Sequence, residues 1–404
     1  MCSVNDAGDI EDLNNTGLLS NFKYKVLAEK CNKCKDEKPC VILRKKDAYC
    51  KSCFLTSTVH KFKALLGKHK LIKDGDKVLV YYHGGHSGTA LLHFLRTNLD
   101  LNSPKKLRFI PVCLFIEKHY FLSREERIDN LRRIFNYMRT FDIPIYFTSL
   151  TDYCKNGFSE NTLLTKNFEE LELDNKEGEF MKDLFEKSES LANDVQTINI
   201  RKLLISCAKK LKCKFIFTPE LATDIASQLL VNTALGRGSH IPLDTGFCDT
   251  RNEHVTILRP LRVFDIKELA LYNHFCNLDA IMLQTDLPKS QKSIQNLIEN
   301  FVIDLQTNFP ATVTTVLKTG DKLSMKKNKN ENRICYICQS PIEVACQQLT
   351  TDEAIKYSHQ ISTQPELVGG DILKDNFGTV IDTKTCFSCS RIEQFLISTS
   401  TEKV

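Results

Sequence analysis

Residues 77–95, KVLVYYHGGHSGTALLHFL, constrain the fold more than any other part of this 404-residue chain. The first six are aliphatic, β-branched or aromatic, which predicts a short strand, and Gly84 and Gly85 end that strand abruptly. Behind the glycines, Ser87 or Thr89 can cap a helix whose apolar residues recur at helical spacing. The segment therefore predicts a strand, a tight glycine turn and a helix that follows at once.

A strand, a glycine turn and a helix N-terminus form a common cradle for phosphate, because glycines let the backbone come close and the free helix N–H groups favour an anion. Many such turns carry two glycines only to reverse the chain, so the turn alone leaves both interpretations open. It is not a Walker P-loop, because no Gly-Lys-Ser/Thr follows, and it lacks the G-x-G-x-x-G spacing of dinucleotide-binding folds. HGGHSGT does resemble an altered form of the S-G-G-x-D-S loop of PP-loop ATP pyrophosphatases.

Size and composition predict a soluble protein of two or three domains, with 42% hydrophobic residues to form its core. The first twenty residues are polar, and the longest apolar stretch, near 109–116, is far too short to span a membrane. The net charge of +5 permits contact with nucleic acid without predicting it. We expect a cytoplasmic protein with no membrane attachment.

Seventeen cysteines in a chain without a secretion signal indicate metal ligands or buried thiols, because the cytosol keeps thiols reduced. Two pairs of Cys-x-x-Cys motifs have the arrangement of four-thiolate zinc sites. The first pair consists of Cys31, Cys34, Cys50 and Cys53, and the second of Cys335, Cys338, Cys386 and Cys389. Four thiolates leave no open position on the ion, so we expect structural zinc at both sites.

Other ligand sets stay open. Cys40 and His60 lie near the first pair, and Cys346 could substitute in the second. Because 47 residues separate the two motifs of the second pair, reduced surface thiols are an alternative there.

Strand and helix patterns alternate from residue 77 to about residue 280, which predicts a parallel, doubly wound α/β sheet. The expected strands are 78–82, 107–116, 145–148, 215–218 and 255–257, and the expected helices are 89–99, 124–140, 197–211, 221–235 and 266–275. In such sheets ligands bind beyond the carboxyl ends of the strands, which would gather the glycine turn, the Pro219-Glu220 loop and the loop after Leu235.

We predict three regions. Residues 1–75 form an N-terminal zinc-knuckle region, 76–280 an α/β domain with a charged surface insertion at 156–187, and 281–404 a C-terminal helical and zinc-knuckle region. The last region contains an amphipathic helix at 290–308 and a basic loop at 318–332.

Three later segments strengthen the resemblance of the glycine turn to a PP-loop. They are 217–238 (FTPELATDIASQLLVNTALGRG), 241–251 (IPLDTGFCDTR) and 259–273 (RPLRVFDIKELALYN). In this order, and with the flanking knuckles, they make residues 25–395 resemble the partner-subunit branch of the PP-loop tRNA thiolation family. The resemblance implies a Rossmann-like PP-loop sheet, of the adenine nucleotide alpha hydrolase-like type, flanked by two zinc modules.

The resemblance also implies a lost activity. Family members with an intact loop bind ATP, adenylate the C2 oxygen of wobble uridine (U34) in tRNA and replace that oxygen with sulfur. Here His83, Ser87 and Gly88 stand where the loop would have its first Ser, its Asp and its second Ser. Without the carboxylate a Mg²⁺ ligand is missing, and without the hydroxyls donors to phosphate are missing. The resemblance therefore does not predict ATP binding by this loop.

A second departure concerns sulfur chemistry. Active members carry a Cys-x-x-Cys ahead of the helix before the fourth strand, and the corresponding residues 192–199 contain no cysteine. Cys207 and Cys213 lie farther on and are interpreted as buried or incidental thiols. We expect no catalytic residue in this chain.

Site residues follow from the resemblance. It implies a degenerate nucleotide site at Gly84, Gly85, Ser87, Thr89, Thr223 and Asp224, and tRNA contacts at Arg237, Arg259, Arg262 and Lys267. Simpler interpretations stay open, because Asp224 could only stabilise a helix start, the Gly-Arg-Gly turn could be a plain turn, and strand-edge arginines often form solvated ion pairs.

The resemblance implies a subunit of a tRNA sulfurtransferase complex that forms a heterodimer with an active PP-loop paralogue. The subunit would bind tRNA and support sulfur transfer from a ubiquitin-like sulfur carrier protein. Two alternatives stay open. One is an active ATP-dependent tRNA sulfurtransferase in which His86 and Ser87 substitute in the loop, and the other is a zinc-stabilised RNA-binding scaffold unrelated to thiolation.

Overall fold

A computed structural model describes most of the chain. The described residues are 30–43, 47–100, 107–150, 164–171, 173, 176–283, 293–324, 334–342, 359 and 385–401. They belong to two compact units. The larger unit holds the described residues through Ala234 and those of 241–324, and the smaller holds Leu235–His240 and the described residues beyond 324.

The larger unit carries the strands and most of the helices. Its strands are β1 (Val41–Leu43), β2 (Asp47–Tyr49), β3 (Lys77–Tyr82), β4 (Ile110–Glu117), β5 (Ile145–Ser149), β6 (Phe215–Phe217), β7 (Cys248–Asp249) and β8 (Thr256–Leu258). Its helices are α1 (Lys51–His69), α2 (Gly85–Leu99), α3 (Arg124–Met138), α4 (Lys176–Lys187), α5 (Glu189–Lys210), α6 (Ala222–Ala234), α7 (Ile241–Thr245), α8 (Ile266–Phe275), α9 (Ile294–Asn308) and α10 (Pro310–Gly320). The smaller unit contains α11 (Phe387–Thr401).

One six-stranded sheet organises the larger unit, with strand order β5-β4-β3-β6-β8-β7. The first five strands pair in parallel, and the two-residue β7 adds an antiparallel edge. The predicted parallel α/β sheet is confirmed, while β7 is too short to give a periodic signal. Since β4 and β6 flank β3 on opposite sides, the strand order reverses at β3, the place where such sheets bind ligands.

Layers of helix cover both faces of the sheet, which explains why β3 is an almost unbroken apolar run. Val80 and Tyr82 face a core that includes Leu91 of α2. Leu79 faces a second core that includes Leu203 of α5. All five side chains are at most 1% exposed.

Helix α1, which begins directly after Cys50 of the first cysteine group, is part of the same core. Phe54 and Phe62 are at most 1% exposed and belong to the cluster that contains α2 and β3. Lys61 Nζ lies 2.7 Å from Glu268 Oε2 of α8. The first cysteine region is therefore packed into the α/β core.

The structure corrects the interpretation of 156–187 as a plain surface insertion. Its described part includes α4, and Phe168, Leu171, Met181 and Leu184 are buried. Helix α4 carries its apolar residues on one face among many charges, a helical pattern that the sequence analysis missed.

The five helices predicted in the α/β region are present, four of them with shifted ends and α8 at its predicted bounds, whereas α7, α10 and α11 were not predicted. Helix α5 begins at Glu189, eight residues before its predicted start at 197. The amphipathic helix predicted at 290–308 is α9. The basic loop predicted at 318–332 begins within the last turn of α10, and its residues 325–332 lie outside the described residues. In the part of the chain that the structure describes, no helix combines the length and apolar character needed to cross a membrane.

Candidate functional site

The glycine turn lies at the carboxyl end of β3, where the strand order reverses. Gly84 and Gly85 have φ angles of +88° and +69°, in the left-handed region that favours glycine. Helix α2 begins at Gly85, so the first N–H groups of the helix point out of the turn. The backbone therefore retains the shape of a phosphate cradle.

A segment that follows α8 lies over this turn. The N–H of Gly85 donates to the carbonyl oxygen of Ile281 at 2.8 Å. A Cβ added to Gly84 would lie 2.8 Å from the same oxygen and 3.5 Å from Leu283 Cγ. The donor that a phosphate oxygen would use at Gly85 is thus already engaged by the chain itself.

Helix α8 also holds the turn in place. The fully buried side-chain amide of Asn273 donates from Nδ2 to the carbonyl oxygen of His86 at 2.9 Å. One residue earlier, the Tyr272 hydroxyl lies 2.9 Å from His93 Nδ1 of α2. The sequence segment 259–273 therefore contributes groups that position the first turns of α2.

The side chains of the altered loop do not gather into a cluster of ligands. Ser87 and Thr89 are buried in α2, at 6% and 0% exposure, whereas His83 is exposed. A Cβ added to Gly88 would lie 2.9 Å from Cδ2 and 3.0 Å from Cε2 of Tyr82. The ring of Tyr82 therefore occupies the room that a serine at position 88 would need.

Thr223 and Asp224 lie in the first turn of α6. Asp224 Oδ2 accepts the backbone N–H of Leu221 at 2.8 Å, which is the contact expected of a carboxylate that stabilises a helix start. This contact favours the simpler interpretation of Asp224, and a nucleotide contact there stays a prediction.

Two of the four cations predicted to contact tRNA are buried inside the larger unit. Arg259 is 5% exposed, and its Nη1 donates to the carbonyl oxygens of Leu243 and Gly246 at 3.1 and 2.8 Å. Arg262 is 8% exposed, and its Nη2 lies 2.7 Å from Asp321 Oδ1. Arg259 therefore holds α7 and the residue after it, and Arg262 joins the end of α7 to the residue that follows α10, which supports a structural role.

The other two cations are placed differently. Lys267 is exposed on α8. Arg237 is half-buried in the smaller unit, where its Nε donates to Ser388 Oγ at 2.6 Å. Since Ser388 lies between Cys386 and Cys389, Arg237 contacts the segment that carries two cysteines of the second group.

A buried ion network, which the sequence analysis missed, lies in the segment IPLDTGFCDTR. Arg251 Nη2 lies 2.5 Å from Asp244 Oδ1 and 2.6 Å from Asp249 Oδ2. Arg201 of α5 contacts Asp249 from the other side, Nε to Oδ2 at 3.0 Å. Burial raises the pKa of Asp249, but the two arginines outweigh it and hold the pKa well below its usual range. The close spacing of Asp244, Asp249 and Arg251 in the sequence was the signal that could have predicted this network.

The first cysteine group combines a tight knuckle with a helix start. Lys35, with φ +62°, closes the knuckle by donating its N–H to the carbonyl oxygen of Cys31 at 2.9 Å. Cys50 directly precedes α1 and Cys53 lies in its first turn. The four sulfur atoms lie within 4.8 Å of one another, and Cys34 Sγ is 3.9 Å from Cys50 Sγ.

The second cysteine group repeats this construction. Gln339, with φ +60°, donates its N–H to the carbonyl oxygen of Cys335 at 2.8 Å. Cys386 precedes α11 and Cys389 lies in its first turn. These four sulfur atoms also lie within 4.8 Å of one another, and Cys338 Sγ is 3.8 Å from Cys386 Sγ. Both groups could hold a metal ion.

The alternative ligands of the sequence analysis are not part of these groups. Cys40 is exposed outside the first group, and His60 lies on the exposed surface of α1. Cys346 lies outside the described residues. Burial raises the pKa of Cys207 to about 12 and that of Cys213 to about 11, as expected of inert thiols.

Comparison with known proteins gives concordant matches. The sequence model of the family described as cytoplasmic tRNA 2-thiolation protein 2 matches residues 293–391. Cytoplasmic tRNA 2-thiolation protein 2-A of Xenopus laevis is 31% identical over 410 residues, covering 87% of this chain and 80% of the relative. The Aedes aegypti protein is 29% identical over 398 residues, covering 90% and 88%, and the human protein is 27% identical over 393 residues, covering 83% and 75%.

Among solved structures, the U34-tRNA thiolase NcsA from Methanococcus maripaludis, determined with its [4Fe-4S] cluster, shares the fold. The TM-score is 0.56 at 17% identity, and the match covers 84% of this chain and 97% of the thiolase. At this identity the likeness shows that the two chains share a fold.

Proposed function

Because the chain belongs to the cytoplasmic tRNA 2-thiolation protein 2 family, we propose that it is a non-catalytic subunit in the 2-thiolation of wobble uridine (U34) in cytoplasmic tRNA. An active PP-loop paralogue would supply ATP chemistry in a heterodimer. This chain would help to bind tRNA and to receive sulfur from a ubiquitin-like sulfur carrier protein.

The glycine turn carries the non-catalytic part of the proposal. The turn keeps its two glycines, but the Gly85 N–H is used by Ile281 and the Tyr82 ring fills the space beside Gly88. Adenylation by ATP depends on N–H donors and a metal-binding carboxylate that are directed at the phosphates. A loop of this composition and packing supports a structural role rather than adenylation.

We propose that both cysteine groups hold structural zinc. Tetrahedral zinc with Zn–S bonds of about 2.3 Å places its sulfur ligands about 3.8 Å apart. The distances of 3.9 and 3.8 Å between neighbouring sulfur atoms fit that geometry. Four thiolates per group leave no position for a reacting ligand, so the ions would stabilise their modules and take no part in chemistry.

Exposed cations support the proposed contact with tRNA. Lys267 projects from α8, and Lys33, Lys35 and Lys38 are exposed around the first knuckle. Lysines at such positions contact phosphates and position a nucleic acid without reading its sequence. Within the larger unit, the proposed tRNA contact therefore rests on these lysines more than on the buried Arg259 and Arg262; Arg237 of the smaller unit stays a separate candidate.

The decisive experiment is reconstitution. The chain, the active paralogue and the pair are each incubated with tRNA, ATP and the thiocarboxylated sulfur carrier, and 2-thiouridine is quantified by mass spectrometry. We expect product from the pair and none from this chain alone, and no exchange of pyrophosphate with ATP by this chain.

The same experiment separates the alternatives. Turnover by the isolated chain would identify an active sulfurtransferase and overturn the proposal. Full activity of the paralogue without this chain would favour an RNA-binding scaffold outside thiolation.

A further inference from the structure

The contact between the glycine turn and the segment 281–283 is more specific than general packing. Three atoms or groups meet there: the Gly85 N–H, the Ile281 carbonyl oxygen and the Leu283 side chain. The hydrogen bond of 2.8 Å has the length of a strong N–H···O bond. The carbonyl oxygen thus occupies the place of an anion's oxygen at the start of α2.

The same segment could not fit against an ordinary turn. A Cβ on residue 84 would lie 2.8 Å from the Ile281 oxygen, which is closer than such atoms approach. Leu283 Cγ and Cδ1 would lie 3.5 and 3.6 Å from that Cβ, so the leucine packs against the bare glycine. A Cβ added to Gly85 would lie 3.9 Å from Met282 Sδ.

We propose that Ile281–Leu283 is an intramolecular occupant of the degenerate glycine turn, so that nucleotide or pyrophosphate can bind there only by displacing it. This inference goes beyond the missing Asp and Ser side chains, because the turn would be closed even to an anion that needs backbone donors alone. Asn273, by fixing the His86 carbonyl, holds the other side of the turn while the segment is in place.

Amide hydrogen exchange of the full chain, resolved at Gly85, tests the proposal. In the unmodified protein we expect the Gly85 amide to be protected, although an amide in the first turn of a helix has no partner within the helix. Millimolar Mg-ATP or pyrophosphate should leave that protection unchanged, or should raise exchange at 278–283 if it binds. Rapid exchange at Gly85, or added protection of Gly85 by ligand with 278–283 unaffected, would overturn the proposal.

Two glycine variants provide a matched pair. Gly84→Ala forces a Cβ onto the Ile281 oxygen, whereas Gly75→Ala imposes a similar φ, +78° against +88°, with no atom within 4 Å. We expect exchange at Gly85 to rise about tenfold in Gly84→Ala and to stay unchanged in Gly75→Ala. If exchange at Gly85 rises equally in the two variants, backbone strain explains the rise and the proposed contact with Ile281–Leu283 does not.

A milder variant keeps the test valid if Gly84→Ala fails to fold. Leu283→Ala removes the packing against Gly84 without backbone strain, and Leu323→Ala, at a leucine that is 44% exposed, is its control. Faster exchange at Gly85 in Leu283→Ala alone supports the proposal, and no difference between the two contradicts it. The inference rests on the proposed non-catalytic role, but exchange is measured without thiolation, so each can fail alone.

Discussion

Phe62 of α1 stacks on Phe94 of α2, with ring centroids 5.0 Å apart and planes at 23°. The helix that begins at the first cysteine group thus touches the helix that begins at the glycine turn. Loss of the metal ion proposed for the first cysteine group should therefore destabilise the α/β core as well as the knuckle.

The first prediction concerns that ion. If both cysteine groups hold zinc as proposed, Cys50→Ser should remove one of the two ions and lower the melting temperature by roughly 5–10 °C, because a structural ion contributes folding free energy. Cys40→Ser, at an exposed cysteine outside the group, should change neither value. Metal analysis and calorimetry check both. Unchanged zinc content in Cys50→Ser would contradict the ligand assignment.

The second prediction concerns the buried ion network. Arg251→Ala should lower the free energy of unfolding by about 3–5 kcal/mol, because it leaves the buried carboxylate of Asp249 and the half-buried carboxylate of Asp244 without their main partner. Arg108→Ala breaks an ion pair with Asp74 whose side chains are 69% and 61% exposed, and should cost less than about 1 kcal/mol. Urea unfolding measures both, and similar losses would rule out the network as a major source of stability.

The third prediction is the pH dependence of that network. The pKa of Asp249 is lower in the folded protein than the value of about 3.9 expected of an unfolded chain. Its contribution is therefore fully present above about pH 4 and is lost as the pH falls toward the folded pKa. We expect the unfolding free energies of the wild type and Asp249→Asn to differ at pH 6 and to converge toward pH 2. Parallel curves would contradict the assignment.

The fourth prediction separates tRNA contact from structure. Lys267→Gln should weaken binding about equally for different tRNAs and reduce the slope of log K against log salt by about one. Lys187→Gln, at a lysine paired with Asp183 on α4, is the control and should leave binding unchanged. Arg262→Gln should instead lower stability through the loss of its pair with Asp321. Filter binding over a salt series distinguishes these outcomes.

Local patterns in the sequence were sufficient for the five parallel strands of the sheet and for the cysteine groups. Strand and helix periods are properties of short windows, and each knuckle is set by two cysteines and the residue after them. The burial of Arg262 could not be inferred in this way, because its partner Asp321 lies 59 residues away. The contact of Ile281 with Gly85 likewise depends on how α8 packs on α2, which no local window contains.

The fifth prediction uses two helical glycines. Gly67→Ala in α1, with no atom within 4 Å, should stabilise the protein by about 0.5–1 kcal/mol, because alanine favours helix. Gly88→Ala in α2 should be destabilising, since its Cβ meets the Tyr82 ring at 2.9 Å and overpacking typically costs about 1–3 kcal/mol. Thermal unfolding compares the two, and stabilisation by Gly88→Ala would show that the ring yields freely.

The packing of Tyr82 against Gly88 has an evolutionary consequence. A serine introduced at 88 collides with the ring, while a smaller residue introduced at 82 leaves a void in the core until the serine is present. Each first step is unfavourable before any ligand for ATP is gained. A serine at 88 therefore requires a compensating change at 82, so the packing of these two residues by itself opposes the single substitution that would place a serine in the loop.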